Sequence, residues 1–220
     1  MLSAPSRRRA RGSPRGFTLL ELVAALAILA LIAGSIAVGI RLASRSIERG
    51  EAVAREAARL RAAVGIVERA VRSLSPLPIP AEGEAAVYFS GEGKKLRFLT
   101  GLAPATFGGG GMRLISFFEL TGEKGGLAVA TAPPFRPGGA AGWEGTEGAR
   151  ILIAGATEVS FTYSGGPAKD GTWEWLPAWE PKEPGTLPAA VRVEFTAPGE
   201  DGPRKNAFVV PVPVAEGAGA

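Results

Sequence analysis

The sequence predicts an α+β protein in which a long N-terminal helix, whose first half spans a membrane, packs on antiparallel β-sheets. Residues 17–40 form a run of 24 residues in which Glu21 is the one charged side chain. Residues 41–75 carry an apolar stripe of helical period. Residues 81–214 contain short apolar segments separated by turn residues about every ten positions, which is typical of antiparallel sheets.

A basic leader, residues 1–16, precedes the apolar run. It has no acidic residue and five arginines, which are Arg7, Arg8, Arg9, Arg11 and Arg15. At about 1.5 Å per residue the run 17–40 spans roughly 36 Å as a helix, enough to cross a hydrocarbon core of about 30 Å. Because positive charge is retained in the cytoplasm, the N-terminus is expected there and the remaining chain on the other side of the membrane.

Two simpler readings compete for the same run. A secretory signal peptide has an apolar core of about 7–15 residues followed by a small-residue cleavage site. Here the run is longer, and its A-x-A match, residues 25–27, lies in the middle. A plain single-pass anchor explains the length and the arginines but not Glu21. A carboxylate costs about 2.5–3.5 kcal/mol at the bilayer centre, so Glu21 is either functional or reaches the near interface.

The helix is expected to continue through residues 41–75 beyond the membrane. Apolar residues recur there at alternating spacings of four and three, at Val53, Ala57, Leu60, Val64, Val67, Val71 and Leu74. Such a stripe lies on one helical face, where it packs on the β-domain or, alternatively, forms a coiled coil. Pro76, Pro78 and Pro80 are expected to end the helix.

The β-rich domain is predicted over residues 81–214, followed by a disordered tail at 215–220. A hairpin is expected around the turn 91–94, and residues 133–148 read as a long loop rich in glycine and proline. The predicted strand segments are 86–89, 96–99, 112–120, 127–130, 150–153, 159–163, 191–195 and 208–210.

Composition excludes several classes of site. The chain has no cysteine and no histidine, so disulfides and histidine-based catalysis, metal binding and pH switching are absent. Removing the five leader arginines from the net charge of +4 leaves −1, so no nucleic-acid partner is expected. Only two aspartates occur, and Glu180 and Glu183 are the remaining acidic pair considered for a cation. No metal, no cofactor and no enzymatic activity are predicted.

The junction Gly16-Phe17-Thr18-Leu19-Leu20-Glu21 resembles the processing site of type IV prepilins and of the pseudopilins of type II secretion. The resemblance implies that a prepilin peptidase cleaves between Gly16 and Phe17 and methylates the new amine of Phe17. It also implies that Glu21 lies near the N-terminal amine of a neighbouring subunit in a fibre, where it sets the register of assembly.

The second half of the domain is similar to the J-type minor pseudopilins. The similarity rests on Phe161-Thr162-Tyr163, the segment Trp173-Glu174-Trp175 and a Leu187-Pro188 step into a later strand. Trp173, Trp175 and Trp179 are therefore candidates for a partner interface, although tryptophans also serve as ordinary core or loop anchors.

The resemblance implies a structural role without catalysis. A J-type subunit belongs to a tip complex that initiates a periplasmic pseudopilus, with I- and K-type minor pseudopilins, the major pseudopilin, the peptidase and inner-membrane lipid as partners. The expected location is the inner membrane, with a single pass and a periplasmic domain. The alternative is a minor pilin of a type IV pilus or a DNA-uptake machine.

Overall fold

The computed structural model describes residues 18–80, 85–101, 111–135, 142–180, 185–199 and 202–213. The chain divides into two compact units, Met1–Ala54 and Arg55–Ala220. The first unit contains, in its described part, the N-terminal portion of helix α1. In its described residues the second contains the remainder of that helix and ten β-strands.

Helix α1 extends over Leu19–Arg72. Its segment Leu19–Arg45 has a mean hydropathy of 2.6 and no buried residue, and it is long and apolar enough to cross a membrane. The Ser35 hydroxyl donates a hydrogen bond to the Leu31 carbonyl oxygen at 2.6 Å. This bond satisfies a polar group within the helix itself, as an apolar environment requires.

The helix ends at Arg72, earlier than the predicted residue 75. Ser73 and Leu74 leave it because they pair with the end of a strand. Leu74 forms an antiparallel bridge with Thr100, and the Ser73 and Thr100 hydroxyls are 2.6 Å apart. The three prolines follow the helix end, as expected, and two of them begin and end strand β1, Pro78–Pro80.

Strand β1 pairs antiparallel with β2, Ala85–Val87, so β-structure begins before the predicted boundary at residue 81. A five-stranded antiparallel sheet follows in the order β3-β4-β5-β6-β7. Its strands are Phe89–Gly91, Lys95–Thr100, Arg113–Leu120, Gly126–Ala132 and Arg150–Ala154. The predicted hairpin around residues 91–94 is confirmed, with Phe89 opposite Phe98 and Gly91 opposite Leu96.

A three-stranded antiparallel sheet has the order β10-β9-β8 and is formed by Thr157–Ser164, Ala190–Ala197 and Arg204–Pro211. The predicted alternation of β9 is confirmed, because Val191, Val193 and Phe195 are buried whereas Arg192 and Glu194 are not. Residues 173–175 form no strand; Trp173 forms an isolated bridge with Pro167, and the next residue, Leu176, forms one with Tyr163 of β8. The predicted tail, 215–220, lies outside the described residues.

The main core lies where the second part of the helix, the five-stranded sheet and the three-stranded sheet meet. Val67 and Val71 of the helix pack in one cluster with residues of both sheets, among them Phe98, Phe117 and Phe161. The predicted stripe therefore packs on the β-domain, as expected. Within the second unit, Val67 and Val71 are fully buried and Leu74 is nearly so, whereas Leu60 and Val64 are partly buried.

A second core covers the opposite face of the five-stranded sheet. Trp143 is 1% exposed there and packs with Leu99, Leu114, Phe118 and the alanines of β6. Arg97 donates to the Trp143 carbonyl oxygen at 3.0 Å, and Lys95 donates to that of Glu144 at 3.1 Å. The region predicted as a loop thus has no strand in its described part, 133–135 and 142–148, yet it supplies a large core side chain.

Candidate functional site

The first turn of α1 contains one of the two regions that the sequence marks as functional. The Thr18 carbonyl oxygen accepts the backbone N–H groups of Glu21 at 3.0 Å and Leu22 at 3.2 Å. The Thr18 hydroxyl oxygen also accepts the Glu21 N–H, at 3.3 Å. Threonine followed three residues later by glutamate is the pattern of a capping box. Glu21 thereby lies in the first turn, at the positive end of the helix dipole.

The surroundings of Glu21 contain no charge of the opposite sign along the helix. Its side chain is exposed, and the next charged residue of the described helix is Arg41, about 30 Å away along the axis. A carboxylate in such an apolar segment requires a cation from outside the segment or exposure at an interface. The cap by Thr18 was missed by the sequence reasoning, although Thr18-x-x-Glu21 before an apolar run is the recognisable signal of a helix N-terminus.

The other predicted N-terminal site residues lie outside the described part of the chain. They are the cleavage-site residues Gly16 and Phe17 and the arginines Arg7, Arg8, Arg9, Arg11 and Arg15. Their roles in cleavage, methylation and topology stay predictions.

The three tryptophans predicted at a partner interface do not form one group. Trp173 and Trp175 are stacked, with ring centroids 6.0 Å apart and an angle of 18° between their planes. The Arg192 guanidinium carbon lies 4.0 Å from the centroid of the Trp175 ring, a cation–π contact. We call Trp173, Trp175 and Arg192 the aromatic platform. Trp173 is its most open member, at 46% exposed.

A tight turn holds the aromatic platform in place. Ala168 donates its N–H to the Thr172 carbonyl oxygen at 2.8 Å, and Pro167 and Trp173 form an antiparallel bridge. The Asp170 carboxylate accepts the Thr172 N–H at 3.0 Å and its hydroxyl at 2.6 Å. These hydrogen bonds hold the pKa of Asp170 below its ordinary value of 3.8. The turn is therefore ordered by its own contacts before any ligand binds.

Trp179 has a different role. Its ring is partly buried against the main core, and its indole N–H donates to the Thr186 carbonyl oxygen at 2.8 Å. Its backbone N–H donates to the carbonyl oxygen of Gly91 at the edge of β3, at 2.9 Å. These contacts make Trp179 an anchor of the segment that covers this sheet edge.

Sequence reasoning missed Arg192 and Trp143. The alternation of apolar and polar residues in β9 places Arg192 on the outer face of the three-stranded sheet, but no sequence pattern connects Arg192 with Trp175. For Trp143 the signal was weak, since a lone tryptophan in a loop of glycine and proline is consistent with an anchor and equally with an exposed residue.

Two grooves flank the second part of the helix. One, of about 590 Å³, lies between helix residues such as Leu60 and Ile66 and strand β7, the edge of the five-stranded sheet. The other, of about 430 Å³, lies between Val64 and Glu68 and strand β10, the edge of the three-stranded sheet. Among the described residues, no three acidic side chains cluster as a metal site would require. Glu183, one of the two glutamates considered for a cation, lies outside that part of the chain.

Comparison with known proteins agrees with the N-terminal motif and the domain that follows it. Residues 11–37 match the family described as the prokaryotic N-terminal methylation motif. Over 216 residues the chain is 31% identical to type II secretion system protein J of Xanthomonas campestris pv. campestris, with 93% of this chain and 96% of that protein aligned. The similarity thus extends through the membrane helix and both sheets. The chain belongs to the family of J-type pseudopilins of type II secretion, whose members are minor pseudopilins with a structural role.

Proposed function

We propose that this minor pseudopilin joins I- and K-type minor pseudopilins in a tip complex that initiates a periplasmic pseudopilus, on which the major pseudopilin then assembles. The observation that carries the proposal is Glu21, an isolated carboxylate in the first turn of an apolar helix. Membership of the family supports other pseudopilins and the prepilin peptidase as partners. The apolar helix supports a single-pass location in the inner membrane.

Processing would create the positive charge that is missing from the surroundings of Glu21. Cleavage after Gly16 frees the amine of Phe17, which methylation leaves basic. Phe17 precedes Glu21 by four residues in the sequence, so neighbouring helices in similar register would bring one subunit's amine beside another's carboxylate. In apolar surroundings such a pair favours both charged forms, and it specifies register because a misaligned helix leaves both groups unpaired.

The arginines of residues 1–16 would keep the amine end at the cytoplasmic face, and the β-domain would project into the periplasm. There the two grooves beside the helix offer apolar surface to neighbouring subunits, and these surfaces adjoin two sheet edges. In this arrangement the helix provides insertion into the fibre and the β-domain provides the choice of partner.

The test is complementation of a clean gene deletion with wild-type protein and with Glu21→Ala, Glu21→Gln and Glu21→Asp. We expect the alanine and glutamine variants to be cleaved and methylated normally, as measured by intact mass, but to fail in crosslinking to other pseudopilins and in exoprotein secretion. The aspartate variant should retain part of both functions because it keeps the charge.

Normal secretion and crosslinking by Glu21→Gln would contradict the pairing of Glu21 with an amine. The deletion strain itself is scored for secretion, twitching motility and DNA uptake. Loss of secretion alone is expected, whereas normal secretion with loss of motility or DNA uptake would contradict a function in type II secretion.

A further inference from the structure

The end of the apolar segment of α1 carries two arginines that are one helical turn apart. Arg41 and Arg45 belong to the described part of the helix, and both side chains are exposed. Residues four positions apart lie on the same face of a helix, and Ser44, which is also exposed, adjoins them on that face. Two guanidinium groups and a hydroxyl group are therefore displayed together directly after the apolar run.

Helix geometry places these arginines at the depth of lipid headgroups. No charged residue lies between Glu21 and Arg41. At about 1.5 Å per residue the two positions are about 30 Å apart along the axis, which is the thickness of a hydrocarbon core, and Arg45 lies about 6 Å further. A bilayer with its headgroups is about 40–45 Å thick, which leaves about 5–7 Å of polar layer on each side. With Glu21 at one boundary of the core, both arginines lie in the headgroup layer at the other.

The segment that contains these arginines has a positive net charge. No acidic residue lies within four positions of Arg41 in either direction. Glu48 is three positions beyond Arg45 and can offset one positive charge there, but Arg49 adds another. Residues 41–49 thus contain three arginines and one glutamate. Because like charges one turn apart repel each other, Arg41 and Arg45 favour an anion between them.

From this combination we infer that Arg41 and Arg45 bind the phosphate of an anionic phospholipid, of the phosphatidylglycerol class, in the leaflet at this end of the helix. The inference rests on the membrane location in the proposed function. A planar guanidinium group donates two parallel hydrogen bonds to the oxygens of one phosphate, and a pair of them one turn apart can hold the same phosphate from two sides. The net positive charge favours this headgroup over a zwitterionic one, whose ammonium group the arginines would repel.

The depth of the arginines favours a lipid over an acidic protein partner. Headgroup phosphates surround the helix at this depth before any subunit joins it, whereas the carboxylate of a neighbouring subunit is present only after assembly. Ile40 and Leu42, the apolar neighbours of Arg41 in the chain, are both exposed, so acyl chains can cover them while the arginine reaches the phosphate. The bound lipid would fix the depth of the helix, and with it the position of Glu21 at the opposite boundary.

The experiment measures lipid binding to the full chain by native mass spectrometry. The protein is held in micelles of an uncharged polyoxyethylene detergent and titrated with phosphatidylglycerol or phosphatidylcholine of identical acyl chains. We expect phosphatidylglycerol to bind more tightly. Each arginine beside an anionic lipid contributes about fivefold in affinity, so the double variant Arg41→Gln/Arg45→Gln should bind it roughly 25-fold more weakly. The variant Arg41→Lys/Arg45→Lys keeps the charge without the planar fork, and its affinity should be intermediate.

The matched control is Arg55→Gln/Arg59→Gln. These two arginines are also exposed and four positions apart on α1, but they follow the apolar segment Leu19–Arg45, so their replacement should leave phosphatidylglycerol binding unchanged. Depth is measured in lipid nanodiscs. The chain has no cysteine, so Ala43→Cys accepts a single nitroxide label, whose accessibility to oxygen reports its depth. The glutamine pair should shift this depth, and an unchanged value would contradict the role of the lipid in fixing it.

The inference is overturned if the wild type binds the two lipids equally, if the glutamine pair binds phosphatidylglycerol as the wild type does, or if the control pair weakens binding as much. A glutamine pair that keeps the lipid preference but fails in crosslinking to other pseudopilins would assign the arginines to a protein partner instead. Binding is measured on the isolated chain with Glu21 intact, so loss of lipid binding and failure of fibre assembly are separately observable.

Discussion

Trp143 is the side chain whose removal should destabilise the β-domain most clearly. It is 1% exposed and fills the second core against Leu99, Leu114 and Phe118. Burial of about 200 Å² at about 25 cal/mol per Å² corresponds to roughly 5 kcal/mol, an upper bound because the unfolded chain is partly compact. Trp143→Ala should therefore lower the free energy of unfolding by about 3–5 kcal/mol.

The assay is thermal and urea unfolding of the full chain in micelles, followed by circular dichroism of the β-domain. For a unit of this size, a loss of about 4 kcal/mol corresponds to a decrease in Tm of roughly 8–16 °C. The hydrogen bond from Arg97 to the Trp143 backbone oxygen does not depend on the indole, so it remains available in the variant.

The same substitution at Trp173 is the matched control. Trp173 is 46% exposed and leaves no enclosed cavity, so Trp173→Ala should cost about 1–2 kcal/mol, mostly from lost stacking. If the two alanine variants lose similar stability, or if Trp143→Ala unfolds like the wild type, then residue 143 is not a core side chain and the reasoning fails.

Two further predictions concern the backbone and pH. Gly126 has a φ of 151°, and a methyl group there would collide with the Ile153 carbonyl oxygen, so Gly126→Ala should cost more than about 2 kcal/mol in urea unfolding. Gly165→Ala, whose nearest contact would be a Trp179 ring atom at 3.5 Å, should cost clearly less, and equal losses would contradict this account. Because hydrogen bonds lower the pKa of Asp170 in the folded state, its turn should be fully ordered at neutral pH and should loosen as pH falls through a midpoint below 3.8. The Thr172 amide shift in NMR reports that midpoint, with Asp170→Asn as the pH-independent control, and a midpoint above 3.8 would contradict the hydrogen bonding.

Much of the fold was predictable because it depends on local patterns. A run of 24 residues with one charge predicts a membrane-spanning helix by its length and composition, and a stripe at four-three spacing predicts its continuation. Most strands were predicted because alternation and turn residues act over a few positions. The helix end was placed too late, since Ser73 and Leu74 are drawn into contact with Thr100, a residue distant in sequence.

The candidate site residues likewise divide into those that local sequence patterns predict and those that depend on contacts between distant residues. By itself the sequence determined where charge lies at the N-terminus, with a basic segment before residue 17 and Glu21 isolated in the apolar run that follows, while cleavage at Gly16-Phe17 stays a prediction. Only the tertiary structure decided which tryptophan is core and which is surface. Trp143 is buried because Arg97 and the small alanines of β6 accommodate it, and Trp173 is open because it lies in a turn that follows the end of β8. Such contacts join residues far apart in the chain, and no local pattern of residues specifies them.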